Sequence, residues 1–83
     1  MDNQEKMATV LSIISSLNYE MYLKIVDENL YDHSLFLYPL MFLPRDIVYI
    51  FAILKQKYGI DDEKCTNVFS KTISVNTIAQ CIK

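Results

Sequence analysis

Glycine occurs once in this 83-residue chain, proline twice, histidine once and tryptophan not at all. Each scarcity removes a class of protein. A single glycine leaves no nucleophile elbow, which needs a sharp turn that other residues resist. The one histidine, His33, lies in the turn Tyr31-Asp32-His33-Ser34. A Ser-His-Asp triad converges from separate elements around an oxyanion hole, so these sequence neighbours do not make one. His33 reads as a solvated loop residue, and the chain is not expected to be an enzyme. Cys65 and Cys81 show neither a CxxC spacing nor nearby histidines, so they read as reduced thiols at or near a core rather than a zinc site or a disulfide. Asp61, Asp62 and Glu63 lack the alternating ligands and central glycine of a calcium loop and read as helix capping.

Basic charge is also short. Eight Lys and Arg against ten Asp and Glu give a net charge of -2, which excludes a surface built to neutralise phosphate backbones. The six tyrosines are scattered, and without a basic groove they make no stacking platform for single strands. No apolar run approaches the roughly twenty residues that cross a bilayer. Residues 1–6 carry Asp2 and Glu5 and lack the basic and apolar regions of a secretory signal, so a cytoplasmic location is expected. With 52% hydrophobic and 22% charged residues, the composition is that of one globular domain over residues 1–83 with a modest core.

The periodicity is helical. Met7, Val10, Leu11, Ile14 and Leu17 recur at threes and fours over residues 5–17, Asp2 and Glu5 have the spacing of a capping box, and Asn18 is a stop. Residues 19–30 contain apolar Tyr22, Leu23, Ile25, Val26 and Leu30, but Asp27, Glu28 and Asn29 favour turns, so a loop with a helical turn is expected. Over residues 45–58, Ile47, Val48, Ile50, Phe51, Leu54 and Tyr58 give a broad apolar face. Pro44 suits the first helical position, Gly59 the left-handed closing residue, and Lys55 and Lys57 the negative end of the dipole. Asp61 caps a short helix to about Phe69, and Ser74 caps a last helix with the stripe Val75, Ile78, Ala79 and Ile82, running to the terminus. No strand alternation or internal repeat is present. The expected fold is an all-α bundle of four unequal helices with a long loop between the first and second.

Within that loop, residues 35–43, LFLYPLMFL, carry no charge and hold Pro39 near their centre. Proline interrupts both a regular helix and a central strand. Two readings stay open: an apolar loop laid over the core, or an exposed patch that docks a partner protein or a membrane surface. A homodimer that buries this run against itself is a further form of the second.

The helix order, with Leu54-Lys55-Gln56-Lys57-Tyr58-Gly59-Ile60 closing the second helix and Ile73-Ser74-Val75-Asn76-Thr77-Ile78-Ala79-Gln80-Cys81-Ile82 closing the chain, resembles the acyl carrier proteins. It covers residues 44–82 well and residues 5–30 by pattern alone. The resemblance implies a phosphopantetheine-bearing serine at the head of the second helix. Counting back from Gly59, that position is Pro44, which has no hydroxyl. Tyr49, Lys55 and Lys57 stand where the family commonly carries carboxylates. The run Leu43-Pro44-Arg45-Asp46-Ile47-Val48-Tyr49 looks most like the acyl-carrier-related proteins of peptide maturation systems. The resemblance therefore implies a non-enzymatic docking or helper module without a cofactor, which meets a biosynthetic or peptide-modifying enzyme through Arg45, Asp46 and Tyr49. The alternative is a functional acyl or aminoacyl carrier with 4'-phosphopantetheine on Ser34, from the echo Asp32-His33-Ser34-Leu35.

Overall fold

The computed structural model describes residues 1–83, the side chain of Phe69 excepted. The described residues form five helices and no strand: α1 Asn3–Leu17, α2 Tyr19–Glu28, α3 Pro44–Lys57, α4 Asp62–Phe69 and α5 Val75–Gln80. The all-helical class is as expected, but there are five helices rather than four, because residues 19–28 are a regular helix.

Asn18 explains the difference. Its backbone N–H closes α1 on the Ile14 carbonyl at 2.7 Å, while its side-chain oxygen accepts from Met21 N at 3.2 Å. One residue is thus the stop of α1 and the cap of α2. At the far end Asn29, left-handed at φ 56°, closes α2, and Leu30 N donates to the Ile25 carbonyl at 2.9 Å. The turn-favouring residues near the end of this segment mark its termination, not its absence. A Lys24–Glu28 ion pair at 3.1 Å is exposed and adds at most a few tenths of a kcal/mol.

α1 is the central element, packed against α2, α3 and α5, with α4 laid on α5. Its start is capped by Asp2, whose carboxylate accepts from Glu5 N at 2.8 Å. Val10, Ile13 and Ile14 enter the core, where they meet Ile25, Ile47, Ile50, Leu54, Val75, Ile78 and Ile82. Full burial of each such side chain contributes about 1.5 to 3 kcal/mol against its exposed state.

The end of the chain also departs from expectation. α5 stops at Gln80, and Ile82 turns back to make an isolated antiparallel bridge with Ile60. Asp61 N donates to the Cys81 carbonyl at 2.8 Å and Lys83 N to the Gly59 carbonyl at 3.3 Å. Gly59, at φ +82°, permits the turn that brings residues 59–61 into this pairing. Ser74 and Thr77 cap α5 reciprocally, Ser74 N to Thr77 Oγ1 at 2.7 Å and Thr77 N to Ser74 Oγ at 3.2 Å, which satisfies a serine that is almost fully buried.

Candidate functional site

Residues 30–43 connect α2 to α3 as a braced loop. Leu35 N donates to the Ile73 carbonyl at 2.9 Å, and Phe42 N returns to the Leu35 carbonyl at 2.7 Å, so the segment closes on itself at its base. A second tie joins it to α5: Asn76 N donates to the Tyr31 carbonyl at 3.0 Å, and Asn76 Nδ2 to Asp32 at 2.8 Å. Leu35, Leu40 and Phe42 point into the core. Leu37, Tyr38, Met41 and Leu43 point out, with Tyr38 82% and Met41 61% exposed. The charge-free run is therefore part core and part exposed surface, through different residues of the same nine.

His33 holds the outer turn. Its Nε2 lies 2.8 Å from the Tyr38 carbonyl, so this partly exposed loop residue also ties the turn together. Met41 sits at φ 53°, a left-handed conformation that costs a side-chain-bearing residue about 1 to 2 kcal/mol. The buried contacts of Leu40 and Phe42 on either side fix it there.

At the head of α3, Pro44 occupies the first turn, and the Asp46 carboxylate accepts from Leu43 N at 2.8 Å. Asp46 is half-buried and its charge also suits the positive helix end. Arg45 and Tyr49, one turn apart, share the exposed side of α3, and among the described residues Arg45 forms no ion pair. Val48 was expected on the apolar inner face, but it is 68% exposed; it stands about a quarter-turn round the helix from Ile47. Tyr58, also read as inner, is exposed. Val48 instead lines an open apolar groove of about 390 Å³ between α3 and the start of α4, with Phe51, Ala52, Ile60 and Cys65 along it and Lys55 and Asp62 at its polar edge.

Of the residues expected to matter, Arg45, Asp46 and Tyr49 are together on α3, with Asp46 committed to the cap. Ser34 stands apart, in a turn beside the α5 end of the fold, its Oγ accepting from Phe36 N at 3.3 Å. In the sequence Leu37, Tyr38 and Met41 stand out only as part of a run, whose lack of charge is the signal. Cys65 and Cys81 are free. Cys81 is buried, and Cys65 is half-buried on the groove wall. Among the described residues no three His, Cys, Asp or Glu side chains converge as a metal site, and no helix is long and apolar enough to cross a membrane.

No family model, curated protein or solved structure matches this chain.

Proposed function

We propose that this protein is a non-enzymatic docking module on an acyl-carrier-like helical fold, which presents the outer side of residues 35–43 and the exposed face of α3 to a protein partner. The observation that carries the reading is the set of outward apolar side chains Leu37, Tyr38, Met41 and Leu43, held on a segment whose backbone is braced from within, with exposed Val48 on the adjoining α3. A flexible loop bearing such residues would collapse onto its own surface. A braced one keeps them available at little ordering cost, which is what pre-organised binding surfaces do. Arg45 and Tyr49 border the apolar side chains on α3, and both residue types are enriched at binding hot spots. The proposed partner is a biosynthetic or peptide-modifying enzyme, in the setting that the carrier resemblance implies.

The head of α3 supports a module without a prosthetic arm. Proline stands where the family's serine would be, and the first-turn acid is used to close the helix. Two experiments test the reading. Incubation with coenzyme A and a broad-specificity phosphopantetheinyl transferase leaves the mass unchanged; a gain of about 340 Da mapped to Ser34 would make the protein a carrier instead. A photo-crosslinking residue placed at Tyr38 or Tyr49 in the native cell joins the chain to one predominant partner, while the same residue at Lys24 on α2 does not. Crosslinking only to a second copy of the chain would replace the docking module by a homodimer.

A further inference from the structure

The fold brings together two thiols that are sixteen positions apart in sequence. Cys65 lies one turn into α4 and Cys81 just after α5, and both are hydrogen-bonded through their backbones to the same residue, Asp61. The backbone holds them in place from both sides: Asp61 N donates to the Cys81 carbonyl at 2.8 Å, Cys65 N donates to the Asp61 carbonyl at 3.0 Å, and Ile60 pairs with Ile82. The two differ in access. Cys65 forms part of the wall of the open groove beside Val48 and Ala52. Cys81 is fully buried and donates its thiol hydrogen to the Thr77 carbonyl at 3.5 Å.

We propose that Cys65 and Cys81 form a redox modification site, in which a peroxide-class oxidant entering by the groove reacts at Cys65 and the buried Cys81 completes an intramolecular disulfide. The inference is independent of the docking reading. In the first step the Cys65 thiolate attacks one oxygen of the peroxide; an S–O bond forms and the O–O bond breaks. The departing hydroxide takes up the proton that Cys65 gave up and leaves as water, with a sulfenic acid on Cys65. In the second step the Cys81 sulfur attacks the Cys65 sulfur, the S–S bond forms, the S–O bond breaks, and hydroxide leaves as water with the Cys81 proton. Two thiols and one hydrogen peroxide give one disulfide and two waters.

The asymmetry assigns the order of events. Burial, then the adjacent Cys65 and the Asp61 carboxylate, push the Cys81 thiol well above its ordinary range, so Cys81 keeps its proton while the accessible Cys65 meets the oxidant. The second step is then the slower one, and the Cys65 sulfenic acid lives long enough to be trapped. Closing the bridge would tie α4 to the turn after α5.

The test treats the full native chain with stoichiometric hydrogen peroxide and follows intact mass and peptide maps. The expected product is a monomer about 2 Da lighter with the Cys65 and Cys81 peptides joined, preceded by a Cys65 species that dimedone captures. Cys65→Ser, a change at a half-exposed position checked for native circular dichroism, abolishes the mass loss and leaves Cys81 a free thiol. The proposal is overturned if wild-type chain accumulates sulfinic or sulfonic acid at Cys65 beside a free Cys81. It is equally overturned if the main product is a Cys65–Cys65 dimer, or if the joined peptides form only after the chain is unfolded in urea.

Discussion

Residues 35, 40 and 42 and residues 37, 38 and 41 belong to one short run of the same chemical character, yet they have opposite surroundings. Leu35, Leu40 and Phe42 are at most 6% exposed, whereas Leu37, Tyr38 and Met41 are at least 60% exposed. Hydrophobicity alone does not decide which of two leucines is core. The backbone decides it, through the closure of Phe42 N on the Leu35 carbonyl and of Leu35 N on Ile73, with Leu35, Leu40 and Phe42 turned into the core, Phe36 packed at its edge and Leu37, Tyr38 and Met41 turned out. The inner set holds the fold together; the outer set faces outward.

That contrast predicts effects of very different size. Phe42→Ala, which empties a filled core position, lowers the unfolding free energy by about 3 to 5 kcal/mol, and Leu35→Ala by about 2 to 5 kcal/mol, measured by urea titration. Asp46→Ala removes the acceptor for Leu43 N and costs about 1 kcal/mol. Asp46→Asn, which keeps an acceptor oxygen, costs less, so a larger loss of partner binding than of stability in Asp46→Asn would mark the carboxylate as a contact as well as a cap. Met41→Asn raises stability by about 0.5 kcal/mol, because asparagine tolerates the left-handed backbone better than methionine does. Leu37→Ser and Tyr38→Ser change stability by no more than about 0.5 kcal/mol, the range of ordinary surface substitutions.

Much of the helical framework was legible in the sequence for identifiable reasons. α1 and α3 announce themselves by a period near 3.6 and by Asp2 and Pro44 at their starts, α4 by the Asp61 cap and the acids of its first turn, and the helix with Lys55 and Lys57 near its end closes at the only glycine. α2 was obscured because Asp27, Glu28 and Asn29 look like a turn, and because Asn18 serves two helices at once, which reads as a single stop. The tail reads as helical to the terminus, since its stripe continues in register as far as Ile82. What ends α5 early is a tertiary contact, the pairing of residues 59–61 with residues 81–83, and no local pattern encodes that.

The candidate surface was half legible. The absence of charge over residues 35–43 singled the run out. Its inward positions 35, 40 and 42 follow neither a period of two nor one of 3.6, so no periodic reading divides it. Val48 misled for a related reason: apolar residues flank it on a helix whose inner face is already filled by Ile47, Ile50 and Leu54. An apolar residue left over on a helix with a complete inner stripe is a surface signal, and here it marks the groove that reaches Cys65. The proximity of the two cysteines had no sequence signature at all, because their spacing acquires meaning only when α4 lies on α5.

The division of labour between the inner and outer sets is tested most directly by combining Leu37→Ser, Tyr38→Ser and Met41→Asn in one chain and measuring photo-crosslinking to the partner from position 49 in the native cell. The crosslink should disappear from a protein that melts as the parent does. A crosslink of undiminished yield from that triple variant would show that the outward side chains have no part in docking, and would contradict the account.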